Sequence, residues 1–209
     1  MSLPNKNMKT KLFTALLALA VSTPLFAADS PAVGTAAPDF SLTDSKGKTQ
    51  SVSQYKGKYV VLEWFNPECP FVRKHYGSGN MQKLQEEFTA RGVVWLSVDS
   101  SAPGLEGHLT AEQANAKMAE WKTKQTAFVL DPDGKAGRAY AAKNTPHMLV
   151  INPEGKIIYE GAIDSKATPN PSDIASSTNY VKIALEESLA GRSVSNANTK
   201  PYGCSVKYK

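Results

Sequence analysis

Apolar positions along the chain fall into short runs cut by clusters of Gly, Pro, Asn and Asp, and the runs switch between a strand-like and a helix-like period. Residues 59–65 (YVVLEWF) are almost continuously apolar and rich in β-branched and aromatic side chains, the pattern of a central strand covered on both faces. Asn66-Pro67-Glu68 ends that run. Cys69-Pro70 then opens a helical pattern that continues to about Ala90, with a break predicted at Gly77-Ser78-Gly79. Residues 93–98 form the next buried strand. After a loop over 99–109 rich in Gly, Ser and Pro, Thr110-x-x-Gln113 has the spacing of a capping box ahead of a helix over 111–124. Residues 127–130 read as a strand stopped by Asp131-Pro132-Asp133-Gly134, and a short helix follows through Tyr140. One hairpin is predicted across Asp44-Ser45-Lys46-Gly47, between 40–42 and 49–52. A second crosses Asn152-Pro153-Glu154-Gly155, between 148–151 and 156–160. A polar loop covers 165–178, a last helix covers 180–190 with Gly191 at its end, and 192–209 carry no strong pattern. Strands alternating with helices in a unit of this size predict an α/β domain.

The first 28 residues follow a different rule. Lys6, Lys9 and Lys11 form a positive region, residues 12–26 are apolar apart from Thr14 and Ser22-Thr23-Pro24, and Ala27-Ala28 offer small residues for cleavage. This is the layout of a secretory signal peptide, with an apolar stretch short for a bilayer span; an uncleaved anchor is the alternative. The organisation predicted is a signal peptide over 1–28, a domain over 29–191 and a C-terminal tail over 192–209. The mature protein is expected to be periplasmic or secreted, without a stable membrane span, in a compartment where two cysteines can pair.

Composition then removes several function classes. The chain has 209 residues, 41% hydrophobic and 21% charged, too apolar for disorder. Its net charge of +5 is concentrated in the signal. Past residue 28, 21 basic residues face 19 acidic ones, which leaves no electrostatic footprint for nucleic acid. Two cysteines, Cys69 and Cys204, exclude a disulfide-dense scaffold and a cysteine-based zinc or iron–sulfur cage. Five methionines and three histidines form no tight cluster in sequence that would hold copper, and no cofactor is expected.

What remains is the chemistry of sulfur. Cys69 stands between the end of a buried strand and the start of a helix, where unpaired amides and the positive end of the helix dipole favour a thiolate over a thiol. Pro70 suits the first helical position because it lacks an amide hydrogen. Arg73 lies one turn further and adds positive charge nearby. The alternative is a buried structural cysteine, or half of a static disulfide. Cys204 is the natural partner: a thiolate that is oxidised, or that attacks a disulfide, needs a second thiol to resolve it, and closure entropy grows slowly with loop length. A permanent Cys69–Cys204 bond and an unpaired Cys204 stay open as alternatives. Trp64 is expected to pack by the site, Trp95 and Trp121 in the core. His75 points largely elsewhere around the helix, and His108 carries no signal.

Three segments give a resemblance. Residues 33–42 (VGTAAPDFSL), then 57–65 (GKYVVLEWF) followed by Cys69-Pro70-Phe71-Val72, and the closing Gly203-Cys204-Ser205-Val206-Lys207-Tyr208 resemble the redoxin superfamily, of alkyl hydroperoxide reductase/thiol-specific antioxidant type, in a peroxiredoxin-like branch. The resemblance implies a thioredoxin-like three-layer sandwich with a central mixed sheet, an N-terminal hairpin extension and a C-terminal tail. It also implies thiol redox chemistry with Cys69 as nucleophile. Thr145-Pro146 ahead of a strand fits the thioredoxin cis-proline, which offers backbone to an incoming extended chain, and His147 beside it is either a substrate contact or an ordinary strand-edge histidine. Glu63, six residues before Cys69, matches the buried acid beneath a thioredoxin site; a carboxyl there with a raised pKa passes protons, and an outward-facing Glu63 is the alternative. Three positions depart from the pattern. Val72 replaces the second cysteine of Cys-x-x-Cys, Asn66 stands where peroxiredoxins have Thr, and Asn144-Thr145-Pro146-His147 lacks their peroxide-polarising Arg. Arg73 or the Asn66 amide is the candidate replacement for it.

The expected function is therefore an exported thiol-disulfide oxidoreductase. Cys69 attacks, Cys204 resolves, Glu63 relays protons, Arg73 supplies charge, and Trp64, Asn66, Pro70, Thr145 and Pro146 line the substrate site. Its partners are protein or small-molecule thiols and disulfides, with a redox protein as reductant. A thiol peroxidase with the same cysteines, acting on peroxide, and a non-enzymatic binding module stapled by Cys69–Cys204 are the rivals.

Overall fold

The computed structural model describes residues 1–2 and 31–209. The predicted signal peptide therefore lies outside the described residues. Among those described, no helix is long and apolar enough to cross a membrane.

Five strands make the central sheet: β3 (Val60–Trp64), β4 (Val94–Asp99), β5 (Ala127–Leu130), β7 (His147–Ile151) and β8 (Ile157–Gly161), in the order β5-β4-β3-β7-β8. β3, β4 and β5 run parallel, whereas β7 and β8 are antiparallel to their neighbours, so the sheet is mixed as expected. All five residues of β3 are buried, which explains the unbroken apolar run. Alternation along the strands still sorts them onto two faces. Val61, Trp95, Met148 and Val150 join one apolar cluster with residues of α1 (Pro70–Gly77), α2 (Asn80–Ala90), α3 (Ala111–Glu120) and α5 (Tyr180–Leu189). Val60, Leu62, Trp64, Leu96, Val98 and Leu149 join the other, which is closed by Phe40, Val52 and α4 (Lys135–Ala139). Helices and extension on both faces of one sheet make the three layers. Truncating a fully buried side chain such as Leu62 to alanine costs about 2–5 kcal/mol in layers packed like these.

Boundaries moved in places. The N-terminal hairpin shrinks to β1 (Leu42–Thr43) and β2 (Thr49–Gln50), because Asp44 takes over the turn, accepting the Lys46 and Lys48 amides at 2.9 Å each. The break predicted at 77–79 is present and divides the helical stretch into α1 and α2 at Ser78-Gly79. The Thr110–Gln113 capping box forms, but α3 stops at Glu120 rather than 124. Within the 165–178 loop, 171–176 wind into a 3-10 helix.

The largest departure is the tail, which is ordered. Residues 197–199 pair with the β8 edge: the Glu160 amide donates to Ala197 O and the Thr199 amide to Glu160 O, both at 3.0 Å. Further on, β9 (Cys204–Ser205) pairs antiparallel with β6 (Asn144–Thr145), a short strand without a sequence signal. The Val206 amide donates to Lys143 O, the Ala102 amide donates to Lys207 O, and the Tyr208 hydroxyl donates to Ala142 O. No amphipathic period marks the tail, because it is held by short backbone pairings with strand edges and loops and by isolated side chains such as Tyr208, not by one continuous face.

Candidate active site

Cys69 is the N-cap of α1, in extended backbone geometry (φ −68°, ψ 121°), with Pro70 at the first helical position. The abrupt end of β3 places it there: Asn66 closes a turn in which its Oδ1 accepts the Glu68 amide at 2.8 Å and its carbonyl accepts the Cys69 amide at 3.2 Å. The Cys69 side chain is completely buried, and its Sγ donates to the Thr145 carbonyl at 3.0 Å. The Thr145–Pro146 peptide is cis, and both residues are buried. The β6–β9 register sets Cys204 opposite Thr145, so the two sulfurs meet across that carbonyl; both are free thiols. Burial, then the hydrogen bond and charge interaction with Cys69, push the Cys204 thiol up to about 12.

Two walls close the site. On one side Asp99 staples the 100–109 loop, its Oδ1 accepting the Ser101 amide at 2.9 Å and its Oδ2 the Leu109 amide at 3.0 Å; burial raises its carboxyl to about 6. Glu106 in that loop accepts from Asn66 Nδ2 at 3.2 Å and lies 3.9 Å from Lys207 Nζ. Gly107 (φ +87°) packs so closely that a Cβ would stand 2.5 Å from the Asn66 side chain. On the other side, the Tyr202 ring packs edge-on to Phe71 at 5.7 Å, and its hydroxyl donates to Asp164. Lys74, also buried, holds the second Asp164 oxygen at 3.1 Å and the Lys166 carbonyl at 2.8 Å. Although burial opposes it, the Tyr202 hydroxyl and the Lys166 amide, with His75 and Lys74 beyond them, hold the Asp164 carboxyl below the usual range. Burial lowers His75 to about 4 against the pull of Asp164, so at neutral pH it is a neutral ring between Asn80 and Tyr202.

Glu63 faces inward, on the same face of the sheet as Val61 and the cluster that contains Cys69. The β3–β4 register puts Ser97 beside it. Its Oε2 accepts from Trp95 Nε1 at 2.8 Å, Ser97 Oγ at 3.1 Å and Gln85 Nε2 at 3.4 Å, and its Oε1 from Tyr76 Oη at 2.8 Å. Burial raises this carboxyl above its ordinary value while the four donors, Trp95 first, pull it back. It has no hydrogen bond to Cys69.

The structure corrects the placing of Trp64 and Arg73 and bears on two readings the sequence left open, at His147 and Asn66. Trp64 is fully buried on the opposite face of the sheet from Cys69, with Nε1 on Ser100 Oγ at 3.1 Å and its ring against Tyr140 and His147; period-two alternation puts it there, away from the sulfur. His147 shares that face, is 2% exposed and faces Glu160 at 3.5 Å, a placement that favours the ordinary strand histidine of the two readings. Arg73 is exposed and turned back on its own loop, Nε donating to Pro67 O at 2.8 Å, without a bond to the sulfur. The Asn66 amide is held within its own loops, its Oδ1 by the Glu68 amide and one Nδ2 hydrogen by Glu106. Sequence reasoning in turn missed Tyr202, Lys74 and Asp164. Tyr202 and Gly203 adjoin Cys204, a proximity that gave the only available signal, whereas Asp164 sits in a polar stretch that looks like any loop.

The comparisons agree with this geometry. The family model described as AhpC/TSA family matches residues 33–160. The chain is 28% identical over 130 residues, 62% of this chain and 67% of the relative, to the thiol-disulfide oxidoreductase ResA of Bacillus subtilis (strain 168). Among solved structures, it superposes on an uncharacterized conserved protein from Geobacillus kaustophilus at TM-score 0.75 and 24% identity, over 85% of this chain and 93% of that one. It superposes on the thioredoxin domain of the thiol-disulfide oxidoreductase BVU-2223 from Bacteroides vulgatus at TM-score 0.52 and 25% identity, over 70% and 98%. A thioredoxin-like mixed sheet with a cysteine capping the first helix beside a cis-proline, joined to that family match, identifies the chain as a member of the AhpC/TSA family.

Proposed function

We propose that the protein is an exported thiol-disulfide oxidoreductase in which Cys69 is the attacking sulfur and Cys204 the resolving one. The observation that carries this reading is the pairing of Cys204 with Thr145, whose carbonyl also holds Cys69 Sγ at 3.0 Å. In the cycle, the Cys69 thiolate attacks one sulfur of a partner disulfide, that S–S bond breaks, and the far half leaves as a thiolate. Cys204 then attacks the Cys69 sulfur of the mixed disulfide, releases the second half, and gives its proton to it. The partner gains two electrons and the protein ends as the Cys69–Cys204 disulfide, which a reducing dithiol protein restores. Cys204 is kept as a thiol until needed. Burial remains, but once Cys69 is in a mixed disulfide its hydrogen bond and charge interaction with Cys204 are gone, and those causes of the raised Cys204 value go with them. Glu63 is a positioning residue beneath the site and its proton reserve. The relatives bearing the name thiol-disulfide oxidoreductase support the same activity.

Replacing Cys204 by serine is the direct test. Cys204→Ser accumulates the Cys69 mixed disulfide after mixing with a disulfide substrate, detected as a mass adduct on Cys69. An unchanged adduct level relative to the parent removes the resolving role. Export rests on residues 1–28; N-terminal sequencing of the protein recovered from the producing cell should begin near Ala28 or Asp29. A peroxidase, by contrast, oxidises its cysteine with hydrogen peroxide orders of magnitude faster than a free thiol. With Asn66 engaged and Arg73 turned away, stopped-flow mixing should give a rate for Cys69 within about tenfold of a free thiol.

A further inference from the structure

We infer that the groove along β6 takes an extended polypeptide in which the reacting cysteine is preceded by glycine and, before that, by an aromatic residue. Residues 202–205 of the chain itself hold that place in the closed state. The inference rests on the reading of Cys69 as the attacking sulfur and adds which partners reach it.

Cys69 is fully buried, and β9 is what lies along β6 beside it, so any outside disulfide must take the line that β9 now occupies. That line carries side-chain rules. Gly203 has φ +125°, a conformation that side chains other than glycine rarely adopt, and a Cβ there would stand 2.0 Å from the Thr145 carbonyl oxygen and 3.4 Å from Pro146 Cδ. The same carbonyl oxygen holds Cys69 Sγ. A side chain one residue before the incoming cysteine therefore presses on the group that positions the nucleophile. The strand must lift, or the carbonyl must move. The register is held from the other side by Asn144 Nδ2, which donates to the Gly203 carbonyl at 3.1 Å, so a small slip does not relieve the clash.

One residue earlier the requirement reverses. The Tyr202 ring rests on Phe71, with Lys74 Nζ 5.7 Å from the ring centroid and Asp164 accepting its hydroxyl. That is a subsite for a flat ring with a hydrogen-bond donor at its far edge. One residue later, Ser205 is exposed, and the groove sets no demand there. The partner chemistry is thus an extended segment reading tyrosine-glycine-cysteine, presented as a disulfide. In the step itself the Cys69 thiolate bonds to the sulfur of that cysteine, the original S–S bond breaks, and the other half leaves as a thiolate.

The probe is a set of peptides built on the 200–205 sequence Lys-Pro-Tyr-Gly-Cys-Ser, each activated as a mixed disulfide with nitrothiobenzoate, whose release is read by absorbance. They are mixed with the reduced full chain carrying Cys204→Ser. Its own tail competes equally with every peptide, so rate ratios report the groove. Replacing glycine by alanine in the peptide should slow release by about tenfold or more, as expected when a side chain is forced into such a conformation. Replacing tyrosine by alanine should also slow it, and glutathione disulfide, followed by its mass adduct on Cys69, gives the rate for a disulfide without the tyrosine-glycine segment. Gly203→Ala in the same protein loosens the competing tail and should speed both the glycine peptide and alkylation of Cys69, whereas Glu112→Ala, at an exposed position on α3, should change neither. Equal rates for the glycine and alanine peptides overturn the groove's selectivity and leave Cys69 standing as a nucleophile. No exchange with any peptide or with glutathione disulfide overturns both this inference and the reading beneath it. The peptide comparison needs only Cys204→Ser, so a poorly folded Gly203→Ala does not block the decision.

Discussion

Cys69→Ser should abolish disulfide exchange, lowering the rate by on the order of 10³-fold or more, because a hydroxyl of ordinary pKa replaces the only sulfur at the helix start. The substitution is close to isosteric, and the serine hydroxyl can still donate to the Thr145 carbonyl that Sγ contacts at 3.0 Å. The fold should therefore survive with a thermal midpoint within a few degrees of the parent, and the loss reads as chemistry rather than unfolding. Cys204 is not a substitute. Burial is the largest cause of its raised value, and burial remains when Cys69 is gone. Measuring the initial rate of reduction of a small disulfide by the reduced variant settles the matter; more than a tenth of the parent's rate in the Cys69→Ser protein would assign the attack elsewhere.

The second large effect concerns stability. Glu63→Ala removes the acceptor of Tyr76, Trp95, Ser97 and Gln85 at once and leaves their donors buried beside a void. Breaking a buried polar network from its hub costs about 3–5 kcal/mol, which in a domain of this size lowers the midpoint by roughly 10 °C. Glu63→Gln keeps the shape and one acceptor oxygen and should cost less than half as much. The pH dependence has a definite sign. Burial raises the Glu63 carboxyl above 4.5, so the native state holds that proton more tightly than the unfolded state does. The stability it contributes is full below about 4.5 and is lost as pH rises through the native value. Asp99, raised from 3.8 to about 6, acts in the same direction and finishes near pH 6. His75, lowered from 6.5 to about 4, acts in the opposite direction and adds stability as pH rises between those values. Denaturant unfolding at a series of pH values should therefore show the stability difference between the parent and Glu63→Gln shifting against the parent as pH rises above 4.5. A parallel slope in the two proteins would show that Glu63 does not titrate differently in the folded chain.

Much of this arrangement was legible in the sequence because it follows from local rules. The continuous apolar run ending in Asn-Pro-Glu and Cys-Pro fixes a central strand, a stop and a helix start. These bring Cys69 to the N-cap without any knowledge of the rest. The spacing of Glu63 within that run points it to the same face as Val61. Trp64 shows the limit of such reasoning: nearness in sequence to Cys69 suggested nearness in space, while strand alternation sends neighbours to opposite faces. Arg73 shows another, since a helical turn fixes where a residue starts and not where a long flexible side chain ends. The tail was illegible for a different reason. Its order comes from single backbone bonds to Glu160, Lys143 and Ala102, which leave no period to detect. The ion pair that anchors Tyr202 joins residues ninety positions apart.

That ion pair also determines what will not open the site. Lys74 and Asp164 are 0% and 1% exposed, unlike the surface pair of Arg91 and Glu186 at 38% and 40%. Dissolved ions screen the latter and barely reach the former. The Lys74–Asp164 clasp on the tail should therefore hold equally in dilute buffer and in brine, leaving the reach of a reagent to the buried sulfur insensitive to the saltiness of the surroundings.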